Sequence, residues 1–386
     1  MPPGAVQDQR PVHHQLCVGA GGRSWVVRGD EVVTLENSDS GFKEVMGHGF
    51  TFRLLPSFAM QKERVGITTA LLMKHESQLL ALVSDVSNCI IQADIATGKV
   101  VRIWTPKKSA ESVNLEWRTM ATDTPAAQLD NRDTFVCLGS DSVSRWDLRA
   151  PPGLAQKLSN TGFRKYAPSS KPQFSCMATA GDGSMVIGSA SGIVHMYAPE
   201  PLRQWSIANT EFSAGAPVTD LDITYDGHWV LATTDHYLVI APTQFRTPSG
   251  RRNGFQYTVQ MHMEASAVRL VLGNTDAVTV HGAVNEHVRP FRGGRFDWVT
   301  DSESKERRLA ASCGEFVASW SWRRIKLAMK EGARRIPNHQ LVQQSIGAAE
   351  VSDAAFMHQA FSPTRGGSQM GVLTPRSIFN VSFPDD

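Results

Sequence analysis

The sequence predicts an all-β fold: a β-propeller of about seven four-stranded blades closed into one ring, with eight as the alternative count. Three observations carry this. LDITYDGHWVLATTDHYLVIAP (221–242) alternates apolar and polar residues, turns at Asp226-Gly227, and continues into two further apolar runs, as adjacent strands joined by tight turns do. CMATAGDGSMVIGSASGIVHMYAP (176–199) repeats that plan at one constant offset. Asp182-Gly183, Val186-Ile187 and Ile193 each lie 44 residues before Asp226-Gly227, Val230-Leu231 and Tyr237, the spacing of four-stranded propeller blades. Weaker copies then run along the whole chain. One blade cannot bury both of its faces, so stacked blades must cover one another, and a ring leaves no bare end.

The copies follow in order. SWVVRGDEVVTLEN (24–37) is strand, turn, strand. LLALVSDVSNCIIQADIATGKVVRIW (79–104) adds an outer hairpin turning at Thr97-Gly98. TFVCLGSDSVSRWDLR (134–149) leads into the polar NTGFRKYAPSSKPQ, an expected surface insertion near 159–172. The two clear repeats come next, then a second expected loop near 243–256, containing TPSGRRNG. VRLVLGNTDAVTVHG (268–282) is the vaguest copy, whereas RLAASCGEFVASWSW (308–322) and MGVLTPRSIFNVSF (370–383) are clearer. RRIKLAMKEGARR (323–335) reads either as a short helix or as an edge strand running into a loop. Repeat starts fall near 67, 113, 173, 217, 263, 306 and 350. The ring is expected to close between N- and C-terminal strands, with residues 24–37 sharing a sheet with 370–383. Residues 15–384 form one domain behind a disordered tail, 1–14.

Composition is that of a globular protein: 386 residues, 41% hydrophobic, 20% charged, net charge +2. A charge that small does not announce a nucleic-acid protein. The five cysteines are widely spaced and form no CxxC pair, which suits reduced thiols better than a disulfide framework. The first residues lack the apolar core of a signal peptide, and no stretch reaches the ~18 apolar residues of a membrane span. A cytoplasmic location is the expectation.

Several segments resemble a known family: VGAGGRSWVVRGDEVVTLEN, QADIATGKVVRIW, RKYAPSSKPQFSCMATAGDGSMVIGSASGIVHMY, GAPVTDLDITYDGHWVLATTDHYLVIAP and GEFVASWSWRRI. Together they are similar to the vacuolar import and degradation protein 27 family of eukaryotic cytoplasmic proteins. The resemblance implies a WD-repeat-like propeller and a non-enzymatic role linked to protein turnover. It implies no catalytic or ligand residues.

Signals of chemistry are sparse. HGAVNEH (281–287) has no cysteine or carboxylate at metal-ligand spacing. His195 lies inside a strand and reads as a structural histidine. GSASG (188–192) has Ala190 where a nucleophile elbow needs serine. VGAGGRSW lacks the GxGxxG pattern and a following helix. Asp222 and Asp226 read as strand-end and turn residues. Trp104, Trp146, Trp229 and Trp320 occupy strand positions in separate repeats, which suits packing between blades. No catalytic residue, cofactor or metal is therefore expected.

Charge is the feature above background. Residues 289–335 hold 12 Lys/Arg against six acids, +6, while the rest of the chain is −4. Arg289, Arg292, Arg295, Arg323, Arg324, Lys326, Arg334 and Arg335 are the candidate partner-binding residues. FRGGRF (291–296) adds aromatics beside arginine, a combination seen in RNA contacts. The region reads either as an ordinary solvated face or as a surface for an anionic partner or RNA. The expected function is a protein-interaction scaffold or a subunit of a larger assembly, with an RNA- or polyanion-associated subunit as the alternative.

Overall fold

The computed structural model describes residues 13–38, 41–45, 49–51, 66–83, 89–104, 117–140, 142–149, 173–199, 204–208, 215–247, 250–256, 267–282, 288–299, 305–343, 349–358 and 368–383. They form seven blades around a central channel, which settles the count at seven. In chain order the blades occupy residues 13–51, 67–104, 117–147, 174–208, 220–271, 291–343 and 353–383. Each is an antiparallel meander whose first strand faces the channel. The tail predicted for 1–14 falls largely outside the described residues, since His13 already opens a strand, and the insertion near 159–172 lies wholly outside them.

Seven apolar clusters hold the ring, one at each interface between neighbouring blades. Blade 2 shows why. Its second strand, Gln78–Val83, sends Leu79, Ala81 and Val83 into the cluster shared with blade 1. Leu80 and Leu82 go into the cluster shared with blade 3. A strand whose side chains alternate faces must be apolar at both when both faces are covered. The tryptophans do what their strand positions predict: Trp104 and Trp146 meet between blades 2 and 3, and Trp320 lies between blades 5 and 6. All five cysteines are buried and free.

The 44-residue offset marks equivalent turns. Asp182 Oδ1 accepts the Ser184 N–H (2.8 Å), and Asp226 Oδ1 accepts the His228 N–H (2.9 Å). Gly183 and Gly227 take φ of +83° and +71°, a conformation that a Cβ disfavours.

Four expectations are corrected. Residues 24–37 and 370–383 do not share a sheet. The first belong to blade 1, where Arg23–Arg28 already pairs on both edges, and the second form a sheet with Asp353–Phe356. The ring instead closes by packing of blade 7 on blade 1, aided by the His13 N–H donating to the Pro375 carbonyl (3.0 Å). No blade starts at 263. Val268–Val271 is the fourth strand of blade 5 and runs into helix α1, Asn274–His281. Blade 6 starts at Phe291, and 306 falls before its second strand. The N-terminal repeat, a blade of its own, restores the total. TPSGRRNG is not a plain loop either, because Gln244–Thr247 pairs with Gly250–Asn253 as a hairpin.

The 323–335 segment resolves into helix and strand. Helix α2, Trp322–Lys330, starts where Ser321 Oγ caps the Arg324 N–H, and Trp322 and Ile325 bury its apolar side. The chain then turns into Arg335–Pro337, a fifth strand on blade 5 that pairs in parallel with Val268–Val271.

Candidate functional site

The first strand of each blade would expose one backbone edge to the channel, and unpaired amides there need partners. Side chains from neighbouring blades supply many of them. Asp222 Oδ2 of blade 5 accepts the Phe296 N–H of blade 6 (2.7 Å), and Asp220 Oδ2 accepts that of Gly293 (3.0 Å). Asp353 Oδ2 of blade 7 accepts the Leu16 N–H of blade 1 (2.8 Å). The Gln15 amide pairs with both the N–H (2.7 Å) and the carbonyl (2.9 Å) of Ala70 in blade 2. Ser175 Oγ donates to the Val218 carbonyl (2.6 Å) and Thr179 Oγ1 to that of Thr122 (2.8 Å), tying blade 4 to both neighbours.

Gln15, Ala70, Asp220, Asp222, Phe296 and Asp353 line a cavity of about 590 Å³ in the channel. Arg295 projects into it. Its guanidinium donates to the Leu221 carbonyl (3.1 Å) and sits 3.7 Å from the Asp220 carboxylate. Burial opposes its charge, but Asp220, Asp222 and Asp353 outweigh burial and raise its pKa. Burial raises the carboxyls of Asp222 and Asp353, against the pull of Arg295 and of the amides they accept. Burial also pushes two further lining acids up, Asp297 to about 6 and Glu306 to about 7. Glu306 Oε1 accepts the Tyr225 N–H (2.6 Å), tying blade 6 to a blade 5 turn. Among the described residues no group of three His, Cys, Asp or Glu is placed to hold a metal ion. The site is thus a polar, net-acidic wall in which Asp220, Asp222, Asp353 and Glu306 join blades, while Asp297 accepts the Arg307 and Arg308 N–H groups within blade 6.

VGAGGRSW also serves blade joining. Glu76 Oε1 accepts the Ala20 N–H (2.6 Å) and one from the Gln128 amide (2.6 Å), linking blades 1, 2 and 3. Lys74, His75 and Glu76 all have φ between +53° and +59°, a strained run for residues with a Cβ. His195 is buried edge-on against Phe174 (5.4 Å), and burial lowers its pKa to about 4.

The structure divides the eight candidate cations. Arg289 pairs with Glu315 (3.1 Å), Arg292 with Asp235, and Arg295 with the channel acids. Arg323, Arg324 and Lys326 lie exposed on α2, followed by exposed Arg334 and Arg335. The first three are thus engaged by acids, and the other five fall on α2 and the segment that follows it. Phe291 and Phe296 are buried, at 2% and 5% exposure, so FRGGRF offers no ring for stacking on a base. Sequence reasoning missed Asp220, Asp222, Asp353, Gln15 and Glu306. Asp220 and Asp353 each open a channel strand, and a carboxylate at that repeated position is the signal that could have found them.

The sequence profile of the VID27 C-terminal WD40-like domain matches residues 12–340. "Vacuolar import and degradation protein 27" of Schizosaccharomyces pombe is 26% identical over 310 residues, 79% of this chain and 36% of that protein. The chain therefore spans little more than a third of the length of that relative. Two solved structures share the fold. The β-propeller domain of Cps50 (Swd1) from Myceliophteria thermophila has a TM-score of 0.60 at 12% identity, covering 97% of this chain and 96% of that one. The C-terminal WD40 domain of Sif2 has a TM-score of 0.54 at 10% identity, covering 98% and 97%.

Proposed function

The chain belongs to the VID27 family through its WD40-like domain, and from that premise we propose that it acts without catalysis, as a protein-interaction scaffold or a subunit of a larger assembly. The observation that carries this reading is the use made of the channel groups. Asp220, Asp222, Asp353 and Gln15 accept or donate backbone hydrogen bonds across blade boundaries. That stiffens the ring and leaves its rim and loops to present partner-binding surface, as rigid scaffolds do. A role in protein turnover or vacuolar import and a cytoplasmic location are part of the proposal, and both rest on the family name. Among the described residues no helix is long and apolar enough to cross a membrane.

The test is affinity purification of the chain at endogenous level, with retained proteins quantified against a salt titration. A scaffold retains a reproducible set of proteins in near-stoichiometric amount. Recovery of the chain alone under gentle conditions would end this reading.

A further inference from the structure

Helix α2 and the strand that follows it carry a basic surface that the ring does not use. Arg323, Lys326 and Lys330 are exposed and fall at helical spacing on one side of α2, opposite buried Ile325. Exposed Leu327 (49%) sits among them. Past the turn, Arg335 pairs in parallel register with Arg269. Both side chains are exposed, while the next pair, Leu270 and Ile336, is buried, so the two arginines stand on one face side by side. Like charges directly opposite one another on neighbouring strands destabilise a sheet. Arg269 stacks over Tyr237 (4.8 Å). Among the described residues, no carboxylate forms an ion pair with Arg269, Arg323, Lys326, Lys330 or Arg335. Of the nearby acids, Asp276 accepts from the Asn338 amide (2.6 Å), leaving Glu331 as the exposed one.

We propose that this face, on the outer rim where blade 5 meets blade 6, docks an acidic polypeptide segment containing apolar residues. The inference rests on the scaffold reading and names one of its surfaces. Charge complementarity selects an anionic occupant. The apolar contact selects among anions. Single-stranded nucleic acid is gripped through exposed aromatic rings, whereas the large exposed apolar residues among those described are valines and Leu327. A lipid surface takes a helix with a free apolar face, whereas that of α2 is buried by Trp322 and Ile325. A leucine ringed by cations fits a peptide of glutamate or aspartate with interspersed leucine.

The test measures fluorescence anisotropy of the full chain with three labelled probes: a glutamate-leucine peptide, oligouridylate, and vesicles of phosphatidylcholine with phosphatidylserine. The expected result is tightest binding to the peptide. Arg323→Glu/Lys330→Glu/Arg335→Glu should weaken it roughly tenfold or more, the sum of three exposed ion pairs. Leu327→Ser should weaken the peptide severalfold and leave oligouridylate binding unchanged. Tighter binding of oligouridylate or vesicles, no binding of the peptide, or a triple variant that binds as the parent does would each overturn the proposal. Thermal melts of both variants verify the fold. Affinity purification separates this inference from the one beneath it. A triple variant that retains every partner of the parent defeats the docking face alone, whereas a parent chain with no partners defeats the scaffold reading.

Discussion

Glu306→Gln should make the protein more stable in alkali and leave it nearly unchanged in acid. Burial raises the Glu306 pKa from 4.5 to about 7, with the Tyr225 amide and its own pulling down and Asp226 and Asp297 pushing up. An acid whose folded pKa lies above its unfolded value binds more protons folded than unfolded, so stability falls as pH rises between the two. Each pH interval of one corresponds to about 1.4 kcal/mol, which sets an upper limit of about 3 kcal/mol. Glu306 lines the channel cavity, where solvent relaxes part of that penalty, so about 1–2 kcal/mol is the working figure. Glutamine keeps a carbonyl oxygen for the Tyr225 N–H and cannot ionise. Urea denaturation of both proteins at intervals from pH 5 to 8 reads the effect as a difference that grows with pH. Asp297, raised to about 6, titrates in both proteins and largely cancels. A difference that stays flat, or shrinks with rising pH, would show that the fold accommodates the Glu306 anion, and the burial argument would fail.

Three further outcomes follow from the same geometry. Gly227→Val forces a β-branched residue to φ near +71° with the Ala180 Cβ 3.5 Å from the new Cβ, and should cost about 1 kcal/mol or more in a denaturant titration; an unchanged midpoint refutes it. Asp353→Ala strands the Leu16 N–H at the blade 7–blade 1 boundary, a loss of about 1–3 kcal/mol. Hydrogen exchange at Leu16 should rise with it, and unaltered protection there would sink the idea. Arg335→Glu exchanges a like-charge pair with Arg269 for an opposite one and should stabilise by about 0.2–1 kcal/mol at low salt, fading as salt is added; destabilisation at low salt would contradict the assigned register.

What the sequence discloses is local. Asp-Gly turns and apolar runs at a fixed offset mark blades 4 and 5, because each of those features satisfies a requirement within a few residues of itself. The same logic locates Trp104, Trp146 and Trp320, since any strand with both faces covered needs bulk there. It fails at 268–282, where apolar Val268–Val271 resembles a blade opening but serves as an outer strand. Nothing within that segment reveals that its further edge is taken by Arg335–Pro337. The channel fails likewise. Asp222 looks like a strand-end residue until blade 6 brings the Phe296 N–H against it, 74 positions away. Arg292 and Arg295 count toward a basic region until Asp235 and Asp220 are placed beside them. Charge summed along a chain cannot register neutralisation by a partner far off in sequence.

The parallel pairing of Arg335–Pro337 with Val268–Val271 has a consequence for how the molecule is made. Blade 5 borrows its outermost strand from chain that is synthesised only after three strands of blade 6 and helix α2. As the polypeptide leaves the ribosome, the first four blades can complete themselves in order, each from its own sequence. Blade 5 cannot. It waits with the edge of Val268–Val271 uncovered until the chain has gone on, built most of its successor and turned back. The two blades therefore mature together, and a ribosome stalled between 282 and 335 would leave a nascent chain with an open sheet edge at that point, the kind of edge that pairs readily with a neighbour.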